Sequence, residues 1–317
     1  MCRRLLWFGF AVFLASSHAI GQSGPTLVGS GYGSPPYVSV APGQVLTLWV
    51  AGLKAISPST SNATMFPLPT SLAGISVTLN QTQRAFSQTL PVPLISVVQT
   101  NLCGDPLNTA QACFLTAVTG QIPFELVSDP FTSPPPSTLA ISQDGVNSQS
   151  FLANTVEDSV HVLMGCGGGY PGTCVTHADG SLVSSELPAQ PGETVVVYAV
   201  GLGHTVPTIA SGQPTPEPAP TVGGVLVNFD FHCNAGPSRP AGGNARQGIG
   251  VSPAFAGLTP GQVGLYQINV QLPAAFPAVQ ACPESGAYYP AFSNLTINIA
   301  GPYFSYDGAA IWVQRGQ

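Results

Sequence analysis

The chain carries one pattern twice. Pro42-Gly43-Gln44-Val45-Leu46-Thr47-Leu48-Trp49-Val50-Ala51-Gly52-Leu53 recurs as Pro191-Gly192-Glu193-Thr194-Val195-Val196-Val197-Tyr198-Ala199-Val200-Gly201-Leu202, at an offset of 149 residues. Residues 72–80 match 222–230 at offset 150, and Gln121-Ile122-Pro123 matches Gln271-Leu272-Pro273 at the same offset. Residues 138–141 with Gly145 match 294–297 with Gly301 at offset 156. Matches that keep their order describe two copies of one domain, each large enough to hold its own core.

The repeated blocks read as strands. Residues 45–50, 75–79, 94–98, 114–118 and 139–141 serve the first copy, with 161–164 expected to close it. Residues 194–200, 225–229, 265–270, 295–299 and 310–313 serve the second. Each run is short, β-branched and bounded by Gly, Pro, Asn or Ser. No segment keeps a 3.6-residue apolar period for three turns, so helices should be rare. Many short strands at this spacing make an all-β protein of sandwich or barrel type. Alternation places Leu46, Leu48, Val195 and Val197 inward, together with Val77, Leu79, Val227, Phe229 and the matched pair Leu115 and Leu265. Gly52 and Gly201 follow their strands where a side chain would not fit. The domains are expected at 24–164 and 177–317. Residues 165–176 read as a Gly-rich linker between them, and 213–220 as a Pro-rich surface loop.

Residues 1–21 read as an export signal. Arg3 and Arg4 precede an apolar run over 5–15, and Ser17-His18-Ala19 or Ala19-Ile20-Gly21 offers a cleavage site. No later run reaches the roughly eighteen apolar residues of a membrane helix, so the mature chain is expected to be secreted, periplasmic or at the cell surface. Beyond the signal, Lys54, Arg84, Arg239, Arg246 and Arg315 stand against thirteen acids. That balance leaves no basic patch and excludes nucleic-acid binding. With Cys2 assigned to the signal, six cysteines remain, an even number suited to disulfides in an exported chain. They allow fifteen pairings; loop placement favours Cys103–Cys113, Cys166–Cys174 and Cys233–Cys282.

The second copy also resembles a known family. His177-Ala178-Asp179-Gly180-Ser181-Leu182-Val183, then 191–203, then Phe255-Ala256-Gly257-Leu258-Thr259-Pro260-Gly261-Gln262 through Val270 look like the C-terminal domain of many exported proteins of soil acidobacteria. A weaker likeness covers 35–163, through Pro67-Leu68-Pro69-Thr70-Ser71 and Ile122-Pro123-Phe124-Glu125-Leu126. The resemblance implies two tandem immunoglobulin-like sandwiches of the IPT/TIG kind, and it implies no activity. Segments 233–250 and 274–290 depart from the family's compact pattern and read as insertions.

Motifs for catalysis are missing. There is no Gly-x-Ser-x-Gly elbow, His-Glu-x-x-His or phosphate loop. Asp230-x-His232 beside Cys233 falls short of the four ligands of structural zinc and reads as a solvent-facing strand pair. His177-Ala178-Asp179-Gly180 reads as an Asp-Gly turn. Glu157-Asp158 with Asp144-Gly145 reads as solvated loops, because calcium asks for six or more oxygens. No metal, cofactor or catalytic residue is expected. Aromatic and arginine residues on loops are the functional lead: Tyr288, Tyr289, Arg239 and Arg246 in the insertions and Tyr170 between Cys166 and Cys174. Trp49, Tyr198 and Trp312 read as packing or edge covers. The expectation is an exported, non-enzymatic interaction, adhesion or surface-structural module whose partner is an extracellular glycan or surface protein. The rivals are a carbohydrate-binding module and an extracellular hydrolase built on a carboxylate pair such as Glu125/Asp129 or Asp179/Glu186.

Overall fold

The computed structural model describes residues 25–32, 38–83, 86–105, 110–128, 134–147, 150–166, 172–239, 250–277, 282, 291–303 and 305–314. Residues 1–21, expected as an export signal, lie outside them. Strands dominate, and helix is limited among the described residues to one 3-10 turn at Gln111–Cys113.

The first copy supplies β1 (Thr26–Ser30), β2 (Val38–Val40), β3 (Val45–Ala51), β4 (Thr60–Asn62), β5 (Ser71–Leu72) and β6 (Ile75–Gln83). It continues with β7 (Phe86–Pro91), β8 (Leu94–Asn101), β9 (Phe114–Gln121), β10 (Ser137–Gln143), β11 (Val146–Asn147) and β12 (Phe151–Thr155). One sheet runs β1-β3-β9-β8-β4 and the other β2-β12-β10-β6-β5, with β7 beside β6 and β11 beside β10. Alternate residues of β3 point inward, so Leu46, Leu48 and Val50 meet Val77, Leu79, Leu139 and Ile141 of the opposite sheet.

The second copy supplies β13 (His161–Val162), β14 (Val175–Thr176), β15 (Thr194–Val200), β16 (Ala219–Pro220) and β17 (Leu226–Asp230). β18 (Phe255–Leu258), β19 (Tyr266–Gln271), β20 (Leu295–Ala300) and β21 (Tyr306–Ile311) follow. Its sheets run β13-β15-β19-β18-β16, with β14 also on β15, and β17-β20-β21. Val195, Val197, Val227, Ile268, Val270 and Ile297 fill the space between them, and Phe229 packs half-buried at its margin. Leu115 and Leu265 depart from expectation: both are half-buried. The inward phase of these strands belongs to Thr116, Val118 and Gly120 in β9 and to Tyr266, Ile268 and Val270 in β19. Tyr266 is fully buried, and its hydroxyl donates to the Gly203 carbonyl at 2.5 Å.

The strand expected to close the first copy opens the second. β13 pairs with Val200 and Ala199 of β15, just as β1 pairs with Ala51 and Val50 of β3. The end of the segment expected as a linker, Val175–Thr176, is likewise part of this sheet, because β14 pairs with Val197 and Val196. β1 passes the equivalent point with a bulge between Leu27 and Gly29. The Cys166–Cys174 loop is therefore an insertion at a bulge position. The chain changes copies between Val156, whose N–H donates to Val40, and Ser159, whose N–H donates to Gly201. Gly201 has φ +80°, and a Cβ there would collide with the Ser159 carbonyl. The parallel pairing of β2 with β12 also recurs, as the single bridge Ala189–Val313.

A second contact fixes the joint. Phe124, from the first copy, is buried in the second copy's core cluster. Its N–H donates to Ser211 Oγ at 2.8 Å, and Ser211 Oγ donates to Glu125 at 2.6 Å. Gln121 Oε1 accepts from Gly212 N–H at 2.7 Å, and the Gly212 carbonyl accepts from Leu68 N–H at 2.8 Å.

Buried amide side chains tie the connections to the sheets. Gln143 accepts from Lys54 N–H (2.7 Å) and donates to the Lys54 carbonyl (3.1 Å). Gln99 holds Ile56 N–H (2.9 Å) and the Lys54 carbonyl (3.0 Å), and Gln81 holds both peptide groups of Val127. Asn294 holds Val313 N–H at 2.7 Å and its carbonyl at 2.8 Å. Each amide has one acceptor and one donor group and so replaces a strand neighbour for a loop that has none.

All three favoured disulfides form, with Cα separations of 5.2 Å for Cys103–Cys113, 5.1 Å for Cys166–Cys174 and 5.6 Å for Cys233–Cys282. The last closes the longest loop and constrains the unfolded chain most.

Replacing Asn294 with Leu keeps the branched side-chain shape but strips both buried Val313 peptide groups of their partner. Stability should fall by about 2–4 kcal/mol, read from urea unfolding. An unchanged midpoint would contradict the clamp.

Candidate functional site

β13 and β21 lie at one edge of the second copy's sheets and are tied there by backbone donors. Val162 N–H donates to Asp307 Oδ2 at 2.8 Å, and Val160 N–H donates to Ser305 Oγ at 2.9 Å. The buried Asp158 carboxylate accepts from Tyr303 N–H (2.6 Å) and Ser305 N–H (2.9 Å), which fixes the turn before β21. Beside this seam lies an open groove of about 610 Å³, lined among others by Tyr32, His161, Met164, Asn234, Phe292 and Asp307.

One side of the groove is the base of the inserted segments. The Cys233–Cys282 disulfide joins them. Asn234 N–H donates to the Ser293 carbonyl at 3.1 Å, and Asn234 Oδ1 accepts from Phe292 N–H at 2.5 Å. The chain then crosses β20: Thr296 Oγ1 donates to the Ala235 carbonyl at 2.6 Å, and Ser238 N–H donates to Asn298 Oδ1 at 2.6 Å. Arg239 ends this run with its guanidinium 5.4 Å from the centre of the Tyr306 ring.

The first copy contributes Tyr32. Its ring stacks on His161 with centroids 3.6 Å apart and planes 4° from parallel. Burial lowers the His161 pKa, partly opposed by the negative charge of Asp307. Burial and then the same charge raise the Tyr32 phenol. Both rings are therefore neutral at neutral pH, and the groove presents aromatic faces, a thioether and an amide more than formal charge.

Ser159 Oγ lies 3.2 Å from His161 Nε2, so serine, histidine and aspartate share one neighbourhood. Asp307 does not orient the ring, however. Its Oδ2 accepts from Val162 N–H and its Oδ1 from Gly308 N–H at 2.8 Å. A serine nucleophile needs its histidine held by a third group.

Of the sequence-selected binding residues, Arg239 is exposed and engages Tyr306 near the groove. Tyr170, Arg246, Tyr288 and Tyr289 lie outside the described residues. Trp49 is an exposed strand residue, while Tyr198 and Trp312 are half-buried. Asp230 and His232 pair with each other, and Cys233 is held in its disulfide. Asp144 follows one end of β10, whereas Ser137 at the other end bonds Thr155, just before Glu157 and Asp158. The four therefore do not meet. Asp129 lies outside the described residues, and Glu125 serves the joint. Asp179 caps its own turn by accepting from the Ser181 hydroxyl and N–H, which lower its pKa; the Ser185 hydroxyl does the same for Glu186. Among the described residues, no three His, Cys, Asp or Glu side chains converge as a metal-binding group. No described helix is long and apolar enough to cross a membrane.

Tyr32, His161, Met164, Phe292 and Asp307 went unselected in the sequence. No motif marks them, and assigning 161–164 to the first copy hid the relation of His161 to β21. No protein-family model matches the chain, and no curated protein matches it.

His177 is bonded on both sides of its ring, to Glu193 Oε1 at 2.5 Å and to the Leu187 carbonyl at 3.2 Å. Burial alone would lower its pKa, but these two acceptors favour the doubly protonated ring and raise it. A raised folded-state pKa contributes stability that is full below about 6.5 and lost as pH rises through the folded value. The melting-temperature gap between wild type and His177→Gln should be widest near pH 5 and close toward pH 9. A gap that widens with pH would contradict this.

Proposed function

We propose that this is an exported, non-enzymatic binding module. Its two immunoglobulin-like sandwiches, akin to the acidobacterial exported domains, hold a ligand-binding groove at the base of the second copy's insertions. The ligand belongs to an extracellular surface, either a glycan or a surface protein. The observation that carries this reading is the groove itself: a concavity of about 610 Å³ whose lining comes from a disulfide-joined insertion, a strand seam and the first copy's Tyr32. Such a surface is formed before its ligand arrives, which reduces the entropy lost on association. Binding groups carried on loops over a rigid scaffold are a common arrangement. The three paired disulfides are compatible with an oxidising compartment. The hydrolase reading is disfavoured, because the Asp307 carboxylate hydrogen-bonds Val162 N–H and Gly308 N–H and not the His161 ring, which leaves the Ser159–His161 pair without an orienting third group.

Tyr32→Ala and Phe292→Ala each remove one aromatic face. Retention of the mature protein on immobilised cell-wall extract should drop about tenfold for each. Unchanged retention in both, or hydrolysis of the extract that is lost in Asp307→Asn, would overturn the reading.

A further inference from the structure

The repeat preserves one outward aromatic residue that the groove does not use. Trp49 in β3 and Tyr198 in β15 occupy the same position of the repeated block, 149 residues apart. Both point away from the core, since Leu48 and Val50 flank Trp49 inward and Val197 and Ala199 flank Tyr198 inward. Core packing does not explain the conservation of ring character between the copies. Trp49 is 39% exposed on the outer face of its sheet, and its neighbours Val28 and Val98 are exposed as well.

The surroundings are uncharged, with apolar and polar rows side by side. In register, Trp49 stands opposite Ala117, which stands opposite Val98; the adjacent row is Thr47, Thr119 and Ser96. The Thr47 and Thr119 hydroxyls lie 2.9 Å apart. Tyr198 is half-buried and stands opposite Gln267, and the adjacent row is Val196, Asn269 and Phe255. No Asp, Glu, Lys or Arg occurs in any strand of either of these two sheets. The strand acids Asp230 and Asp307 belong to the other sheet of the second copy.

We infer that these two outer sheet faces are a matched pair of subsites for a neutral polysaccharide, distinct from the groove. The absence of charge decides the occupant. A charged chain would give up hydration here and find no counter-charge, whereas a neutral sugar lays its C–H face on a ring and its hydroxyls on Thr, Ser and Gln. A face repeated in both copies also suits a ligand that is itself a repeat, because a second contact on one chain raises avidity without any new kind of interaction.

The test uses the intact mature protein in affinity gel electrophoresis. The neutral probes are hydroxyethylcellulose, soluble starch and galactomannan, and polygalacturonate is the charged control. At least one neutral probe should retard the wild type. Trp49→Ala and Tyr198→Ala should each weaken that retardation about tenfold, and the double variant should abolish it. Trp49→Phe should restore most of it, and Tyr32→Ala should leave it intact. Melting temperatures within a few degrees of wild type, expected for outward residues, show that the variants fold. Several outcomes overturn the inference: no retardation by any neutral probe, retardation by polygalacturonate alone, or retardation unaffected by Trp49→Ala and Tyr198→Ala. A Trp49-dependent dimer in light scattering also overturns it, since the face would then bind a second copy. Failure on neutral glycans with groove-dependent retention on wall extract would leave the groove reading standing alone.

Discussion

Buried amide side chains hold this protein's connections to its sheets. The chain has 36 Gly and 32 Pro against 6% charged residues, so ion pairs and helix packing can secure few of its long loops. Gln81, Gln99, Gln143 and Asn294 instead offer a loop peptide the donor and acceptor that a neighbouring strand would offer. A buried peptide group without a partner costs about 1–3 kcal/mol, so each clamp guards against a penalty as large as a fair part of a domain's net stability. The groove depends on amides too: the buried Asn294 begins the approach to β20, and the buried Asn298 and the exposed Asn234 fix the inserted segment that lines it.

Divergence between the copies is concentrated at a few points of a shared framework. β3, β9, β6 and β10 reappear as β15, β19, β17 and β20 with the same antiparallel partners. Where β1 bulges, the second copy inserts the Cys166–Cys174 loop. After β17 it inserts a segment that crosses the outer face of β20. The groove forms where this segment meets the β13–β21 seam and the end of β1. The outer faces around Trp49 and Tyr198 are the part the two copies kept in common.

The fold was largely legible because period-two alternation is a direct readout of which residues face the core. Leu46, Leu48, Val195 and Val197 are all buried as their spacing requires. Leu115 and Leu265 misled because matching between copies shows equivalence and not inward direction; the buried phase began one residue later. The place where the chain changes copies was misread for a physical reason. β13 is two residues long and bears no apolar alternation, and only its pairing with β15 reveals its allegiance. The disulfides were legible because their cysteines bracket loops. The groove was not, because Tyr32, His161 and Asp307 come together only through pairings between distant segments, and such contacts leave no local pattern.

Native-state hydrogen exchange of the whole chain tests most directly whether the clamps make these loops part of the cooperative fold. Lys54, Ile56, Val127 and Val313 have N–H groups bonded to the buried amides Gln143, Gln99, Gln81 and Asn294. Their exchange should be as slow as that of the central strand β3, because opening any of them breaks a buried clamp. Exchange of these four at the rate of unprotected loop amides, with β3 still protected, would contradict the account.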